Sequence, residues 1–345
     1  MTSTLEPAAA QFETNIEEYL PVEKTQLRED YGQVLDDLSD ASVHRNFDPY
    51  DDIDWDADYM AVVPNDKRWI MSKHDPIGRH PWFAQQPVDK QIAMGMWRQA
   101  NVAKVGLQFE SILIRGLMQY SFALPNGAKE FRYTTHEAKE ECNHTLMFQE
   151  FVNRTGVNVP GGPKWFRRIS PVIPLFSTIF PSIFYFGVLG GEEPIDHIQK
   201  EFLRKDQDLH PTMQAIMQLH VAEEARHISF AHHLLREKIP QKGPIQRFIL
   251  SIAMPIVMRV LCDVIARPPR QFRKQFDIPR SVWKDLFWRS PESKQFLVNV
   301  FGDVRMLAEQ CGLINPVSAR VWQLMRIAGR PSRYRSEPTY TATAV

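Results

Sequence analysis

The sequence predicts an all-α fold organised around a four-helix bundle, and three observations support this prediction. From Val88 onward, apolar residues recur at helical spacing over long segments, with very little alternating β pattern. Clusters of proline and glycine separate these segments where helices must end. Two of the segments carry the same chemical arrangement, a glutamate followed three residues later by a histidine.

The first part of the chain, residues 1–86, is predicted to be a mostly irregular lead-in that wraps the helical core. One helix is indicated within it, over residues 24–43, by apolar side chains at helical spacing. Acidic and proline-containing stretches between residues 46 and 79 interrupt any longer element.

Residues 87–330 are predicted to form one helical domain. Four long helices are expected to make the bundle, the third with a break near Pro194, at residues 88–122, 127–155, 175–208 and 210–238. Weaker patterns indicate additional helices packed around it at residues 243–266, 279–288, 290–313 and 316–327. The last residues, 331–345, are predicted to be a flexible tail.

Composition narrows the class of protein. The chain has 345 residues, and its 41 basic residues equal its 41 acidic ones, which argues against a general electrostatic attraction to nucleic acid or acidic lipid. Its three isolated cysteines make no disulfide framework, so a reducing cytoplasm is the expected compartment. The first residues lack a basic segment followed by an apolar one, so no signal peptide is expected.

One uncharged stretch, residues 171–191, approaches the length of a membrane span, for which roughly 20 apolar residues are usual. Three prolines shorten its usable helix, and it ends directly on Glu192 and Glu193. A buried helix beside a metal site is therefore favoured over a membrane span. A second apolar stretch, residues 248–266, carries Arg259 and Asp263, which fits a core helix better than a lipid-facing one.

The repeated arrangement consists of Glu141 with His144 and Glu224 with His227. Residues three apart on a helix share a face, so each carboxylate and imidazole point the same way. Two such pairs, with one further glutamate from each of two other helices, are how a four-helix bundle builds a carboxylate-bridged dimetal centre. The sequence therefore predicts a buried site for two metal ions.

Glu110 is the predicted glutamate of the first bundle helix. It is the only acidic residue between Asp89 and Glu130, and its neighbours at helical spacing are apolar. A single carboxylate on an apolar stripe is costly to bury as an uncompensated charge, and a nearby dication would offset that cost.

The remaining candidates lie next to these residues. His220 precedes Glu224 by four residues and shares its helical face. On the third helix Glu192 and Glu193 point about 100° apart, so only one of them can bridge the metals well. Glu140 and Glu223 each precede a predicted ligand. They are interpreted either as hydrogen-bond acceptors for ligand imidazoles or as ordinary surface charges.

The donor set bears on the identity of the metal. Four carboxylates with two or three imidazoles and no thiolate suit iron or manganese, whereas a closed structural zinc site favours sulfur. A pair of ferrous ions held by carboxylates can reduce O2.

These residues, in this order, resemble those of the p-aminobenzoate N-oxygenases of the AurF type, which are ferritin-like diiron proteins. The likeness runs from about Gln91 to His233, and the third histidine, His220, is its narrower marker. The number of residues between Glu193 and His220 fits the family, so Glu193 is favoured over Glu192 as the ligand from the third helix. The resemblance implies seven metal ligands: Glu110, Glu141, His144, Glu193, His220, Glu224 and His227.

The resemblance also implies two iron ions that activate O2 as a peroxo species, with manganese as the alternative metal. Oxygen would be inserted at the nitrogen of an arylamine or into a similar apolar substrate. A cytoplasmic homodimer is implied, with electrons from an external ferredoxin or reductase. This fits the lack of a glycine-rich nucleotide motif near a predicted strand.

The sequence does not identify the substrate. The residues expected around the site are mostly apolar, and only Arg98, Asn101 and Gln199 are candidates to bind a substrate carboxylate. The alternative oxygenase function is an acyl-chain hydroxylase or desaturase. The alternatives outside that class are ferritin-like iron handling and manganese catalase chemistry.

Overall fold

The computed structural model describes residues 30–206, 208–287 and 289–337, and within these ranges it contains helices but no β-strand. The predicted all-α fold is confirmed. The α-helices of the described ranges are α1 (Tyr31–His44), α2 (Pro76–Arg79), α3 (Pro81–Ala84), α4 (Val88–Phe122), α5 (Lys129–Thr155), α6 (Lys164–Ile169), α7 (Phe176–Ile179), α8 (Pro181–Lys205), α9 (Pro211–Lys238), α10 (Pro244–Ala266), α11 (Arg270–Gln275), α12 (Arg280–Leu286), α13 (Pro291–Val300), α14 (Gly302–Gln310) and α15 (Pro316–Leu324). Short 3₁₀-helices occur at Asp58–Met60, Lys67–Trp69 and Ile173–Leu175.

The four longest bundle helices form two pairs, α4 with α5 and α8 with α9, and the pairs pack against each other through α5 and α9 and through α4 and α8. Each pair has a short connection, whereas residues 156–180 make one long connection between the pairs. One long crossover is typical of ferritin-like bundles. Helix α10 packs along the outside of α8.

Local sequence explains where these helices begin and end. Pro181, Pro211 and Pro244 occupy first-turn positions, where a missing N–H costs nothing because no acceptor is available there. Helix α5 ends at Gly156, whose φ of 63° lies in the left-handed region that glycine adopts without strain.

Three details of the predicted helices differ from the structure. The predicted helix 175–208 is divided at Phe180 between the short helix α7 and the long helix α8. Helix α8 continues through Pro194 instead of breaking there, because one internal proline removes a single hydrogen bond and the buried neighbours hold the helix. The predicted helix 290–313 is divided between α13 and α14 at Phe301. The short helices α2, α3, α6 and α11 were not predicted.

The N-terminal residues that the structure describes contact the bundle at several points. Helix α1 packs on α5 and α9. Further along, Arg154 donates to the carbonyl of Trp55 at 2.6 Å, and the Trp69 ring stacks on His210 with ring centres 4.3 Å apart. The helix predicted at residues 24–43 corresponds to α1, which begins at Tyr31. Residues 24–29 of that prediction lie outside the described ranges.

The C-terminal residues that are described also contact the domain. Arg335 donates to the carbonyl of Ala225 at 2.7 Å, and the backbone N–H of Ser336 donates to Asp303 at 2.6 Å. Residues 338–345 of the predicted tail lie outside the described ranges.

The two apolar stretches have different environments. Residues 181–191 open α8 and are largely buried, whereas residues 172–180 expose many apolar side chains. Among the described residues, one helical stretch, Pro244–Gln275, is long and apolar enough to cross a membrane, and 44% of its most apolar part is buried. Helix α10 is therefore a core helix on one side only.

Candidate metal centre

Six of the seven predicted ligands converge in the bundle interior as two overlapping groups. The first group contains Glu110, His144, His220 and Glu224, and the second contains Glu141, His144, Glu224 and His227. Within each group one nitrogen or carboxylate oxygen per residue lies within 4.8 Å of all the others, and every residue is buried. Two positions that share His144 and Glu224 match the geometry expected of a dinuclear centre.

The two Glu-x-x-His motifs reach each other across the bundle. The Nδ1 atom of His227 on α9 lies 2.7 Å from Oε1 of Glu141 on α5, and Nδ1 of His144 on α5 lies 3.5 Å from Oε1 of Glu224 on α9. The i, i+3 spacing places both pairs on the facing sides of the two helices. This packing turns two separate sequence motifs into one cluster.

The outer nitrogens of the same two imidazoles bind carboxylates reciprocally. Nε2 of His144 lies 3.0 Å from Glu223 on α9, and Nε2 of His227 lies 2.8 Å from Glu140 on α5. A carboxylate accepts, so each Nε2–H donates, and Nδ1 is the nitrogen of each ring that faces the cluster. Arg226 adds an ion pair to Glu140 at 2.9 Å. Glu140 and Glu223 are therefore buried partners of the two imidazoles and not ordinary surface charges.

His220 is held by a different partner. Its Nδ1 atom lies 2.8 Å from Oε1 of Gln199 on α8, and its Nε2 atom lies 3.2 Å from Glu224 and 3.7 Å from Glu110. Burial lowers the pKa of His220 to about 4, so the ring is neutral near pH 7. The Nε2 lone pair is therefore directed toward the two carboxylates.

Neither Glu193, the predicted ligand, nor Glu192 belongs to either group, and the two carboxylates lie on different sides of α8. Oε1 of Glu193 accepts from Nε2 of His232 at 2.7 Å, on the side of α8 that faces Asp303. Glu192 instead lines the same cavity as Glu110 and Glu224, and neither of its buried carboxylate oxygens forms a hydrogen bond with the described residues. Burial, followed by the nearby charge of Glu224, raises the pKa of Glu192 well above its usual range. Adjacent helical residues point about 100° apart, so counting residues to His220 did not identify which of them faces the bundle interior.

Glu137 is a buried carboxylate near the cluster that the sequence reasoning missed. It lies one turn before Glu141, is fully buried, and has no hydrogen-bond partner for either oxygen among the described residues. Burial raises its pKa well above the usual range. The spacing of four residues to Glu141, like that between His220 and Glu224, was the signal that could have identified it.

The arrangement of charges fits a pair of metal cations. Burial and the charges of Glu141 and Glu224 raise the pKa of Glu110, while His227 and His144 hold the pKa of Glu141 well below its usual range in spite of its burial. Without metal cations, such a group of buried acids has to take up protons or be offset by protonated imidazoles. The oxygens of Glu192 and Glu224 and Nε2 of His220 are buried donor atoms that form no hydrogen bond with the described residues.

A mostly apolar cavity adjoins the cluster. Glu110, Glu192, His220 and Glu224 line this cavity, and so do Arg98 and Asp75. Of the three candidates for a carboxylate-binding residue, Asn101 accepts from the backbone of Gly161 and Gln199 binds His220. Gln199 and Arg98 both line the cavity, and Nη1 of Arg98 is a buried charged donor with no hydrogen-bond partner among the described residues.

Comparison with known proteins agrees with this geometry. The family model described as p-aminobenzoate N-oxygenase AurF matches residues 28–312. An uncharacterized protein of Mycobacterium bovis is 57% identical over 309 residues, which cover 90% of this chain and 91% of that protein. An uncharacterized protein of Mycobacterium tuberculosis strain H37Rv has the same identity over the same shares of both chains. The chain therefore belongs to the p-aminobenzoate N-oxygenase AurF family.

Proposed function

We propose that the protein is a diiron oxygenase that uses O2 to oxidise an arylamine or a similarly apolar molecule. The observation that carries the proposal is the pair of buried groups sharing His144 and Glu224 beside an apolar cavity. Membership of an N-oxygenase family supports the reaction class. Buried oxygen and nitrogen donors without a thiolate support iron, with manganese as the alternative metal.

The two groups assign a role to each ligand. His220 and Glu110 would hold one metal and Glu141 and His227 the other, while the shared Glu224 would bridge them and the shared His144 would bind one of them through Nδ1. Glu192 would complete the set from α8, where its oxygens have no hydrogen-bond partner among the described residues. Bound ferrous ions would supply electrons to O2 and transfer oxygen to the substrate.

The protein's own residues would orient the metal ligands and exclude water from the site. Glu140, Glu223 and Gln199 fix the three imidazole rings through the nitrogens that point away from the cluster. Apolar side chains exclude water from the cavity, which strengthens electrostatic interactions at the cluster and protects reactive species from side reactions. Reducing equivalents would come from a separate ferredoxin or reductase.

Metal analysis combined with product analysis tests this proposal. The protein reconstituted with ferrous ions should hold two irons per chain, and mixing the reduced form with labelled O2 and an arylamine should place label in the product. Glu224→Ala should lose at least one iron per chain because both groups share that carboxylate. Glu237→Ala, on the same helix but outside both groups, is the matched control and should retain both.

Three results would overturn the proposal. One is two irons retained in Glu224→Ala. Another is steady release of O2 from peroxide without consumption of any organic substrate, which indicates catalase chemistry. The third is growth of a mineral core in a large shell, which indicates iron storage.

A further inference from the structure

Arg98 on α4 has hydrogen-bonding capacity that the fold does not use. Its side chain is buried, with Nε donating to Asp75 at 3.2 Å and Nη2 donating to the carbonyl of Ala266 at 2.8 Å. Nη1 is also buried and has no hydrogen-bond partner among the described residues. Leaving a buried charged donor unsatisfied costs free energy, so a ligand atom that accepts from it would bind with an advantage.

The position of Arg98 relative to the cluster sets the length of such a ligand. Arg98 and Glu110 line the same cavity and are twelve residues apart on α4, which corresponds to about 18 Å along the helix axis. The wall of the cavity between them is apolar and includes Val102, Val105 and Phe109. A molecule that contacts both ends must therefore be long and mostly apolar.

The surroundings of Arg98 also select the chemistry of the polar end. Asp75 already offsets the guanidinium charge within the buried pair. A free carboxylate would bring a second negative charge into this buried site, which is costly. A neutral carbonyl oxygen, as in an ester or amide, would accept from Nη1 without adding charge.

We propose that the substrate is an elongated apolar molecule with a neutral carbonyl acceptor, bound by Arg98 at the end remote from the metal centre. The proposal rests on the proposed function, because it places the other end of that substrate at the cluster. Ligand binding can nevertheless be measured without turnover, so the two proposals can fail separately.

Displacement of anilinonaphthalene sulfonate from the iron-loaded full-length protein tests the proposal. Methyl dodecanoate should displace this probe at about tenfold lower concentration than dodecanoate does. It should have the same advantage over methyl butanoate, which is too short to span the cavity. Equal potency of the acid and the ester, or of the long and the short ester, would overturn it. Iron content and O2 consumption measured on the same samples report the proposed function independently.

Two variants locate the binding site. The double variant Asp75→Asn, Arg98→Gln removes the buried ion pair without leaving a charge, and it should bind methyl dodecanoate about tenfold more weakly because Nη1 no longer donates to the ester carbonyl. If the double variant does not fold, Arg98→Lys, which keeps the charge opposite Asp75, should also weaken ester binding. Val102→Trp should fill the cavity between the two ends and weaken methyl dodecanoate binding about tenfold while iron content stays unchanged. Val102→Ala is its control. Unchanged ester binding in folded Val102→Trp would contradict the assigned path.

A separate observation concerns the segment from α6 to α7. Seven of its large apolar side chains are 39–63% exposed: Trp165, Ile169, Val172, Leu175, Phe176, Ile179 and Phe180. Exposed apolar residues scattered singly are ordinary, but this many in sixteen consecutive residues concentrate apolar surface in one region, as interaction sites do.

The charges near this segment have one sign. Lys164, Arg167 and Arg168 are exposed on α6, and no acidic residue occurs between Glu150 and Glu192. The net charge of zero for the whole chain therefore conceals a basic, apolar region. Apolar side chains beside basic ones are typical of segments that lie in the interface of an anionic membrane.

The same segment adjoins the cavity. Phe166 and Ile173 line it from within the segment, and together with Val264 and Ile265 of α10 they belong to one small apolar cluster. The neighbouring turns of α10 expose Ile256 and Val260. An apolar substrate dissolved in a bilayer would thus meet the protein next to the cavity walls.

We infer that the segment 164–180 binds the surface of an anionic lipid bilayer without crossing it. A symmetric contact between two copies is less favourable, because a two-fold interface centred on α6 would bring its three basic residues toward the same residues of the partner. The membrane-bound arrangement would instead place them beside lipid phosphates.

Co-sedimentation with vesicles tests this inference. The full-length protein should bind phosphatidylglycerol vesicles at least about tenfold more tightly than phosphatidylcholine vesicles, and added salt should weaken binding. Replacing Trp165, Ile179 and Phe180 by serine should reduce binding about tenfold, whereas Tyr59→Ser, an exposed apolar residue elsewhere, should not. Absence of vesicle binding, or a serine variant that changes the oligomeric state but not vesicle binding, would overturn the inference.

Discussion

The Oε1 atom of Gln199 lies 2.8 Å from Nδ1 of His220, and this single contact determines which nitrogen of the ring faces the metal groups. An amide oxygen can only accept, so Nδ1 carries the hydrogen and Nε2 keeps its lone pair. Gln199 follows Glu192 by seven residues, or about two turns, on the same face of α8. Helix α8 therefore contributes both a carboxylate and the group that orients the third histidine.

Removing this contact should affect the metal centre more than the fold. We expect Gln199→Leu to fold normally but to bind iron about 10–100-fold more weakly, because His220 can then rotate or change tautomer. Iron titration, together with the optical spectrum after O2 is added, measures the effect. Gln218→Leu, an exposed glutamine on α9, is the control. Wild-type iron affinity and spectrum in Gln199→Leu would show that Gln199 does not position His220.

Glu192 and Glu193 should behave differently although they are adjacent. We expect Glu192→Ala to lose iron, because its carboxylate lines the cavity beside Glu110 and Glu224. Glu193→Ala should keep two irons and lose folding stability instead, since it leaves the buried His232 without its acceptor. Iron-to-protein ratios and thermal unfolding of both variants separate the two effects. If Glu193→Ala lost iron and Glu192→Ala did not, Glu193 would be the ligand, as the sequence predicted.

Much of the site was readable from the sequence because its residues lie on helices. Spacings of three and four residues fix which side chains share a face, so the grouping of Glu141 with His144 and of Glu224 with His227 needed no structure. Glu192 and Glu193 differ only in helix rotation, and the internal Pro194 gave no indication of that rotation. Glu137 was missed because a third acid on one face has no counterpart in the repeated motif.

The fold shows the same division between local and tertiary information. The bounds of α4 were predicted to the residue, since its long apolar periodicity has clear breakers at both ends. The connection from residue 156 to residue 180 was read as loop and buried helix. The exposure of this connection depends on which other parts of the protein pack against it, and the local spacing of apolar residues does not indicate that. The expected cytoplasmic homodimer stays a prediction.

The reciprocal contacts of the two motifs should be energetically coupled. We expect Glu140→Ala or Glu223→Ala alone to weaken iron binding about 10–100-fold, because each releases the outer nitrogen of one ligand imidazole. Glu140→Gln keeps an accepting oxygen and should lose less. Arg226 lies near both carboxylates, so the double alanine variant should depart from additivity. Isothermal titration with ferrous ions measures each step, and unchanged affinity in both single variants would contradict the assigned role.

Gly95 on α4 tests how closely the N-terminal segment is joined to the bundle. A Cβ atom at this position would lie 1.6 Å from the carbonyl oxygen of Trp69, which is a backbone atom and cannot move alone. Gly95→Ala should therefore displace the segment around Trp69 and lower the free energy of unfolding by about 1–3 kcal/mol, measured by urea denaturation. Gly243→Ala is the matched control, because a Cβ there would meet nothing within 4 Å and the backbone has an ordinary negative φ. If Gly95→Ala unfolds at the same urea concentration as Gly243→Ala, the segment near Trp69 does not pack on α4 as described.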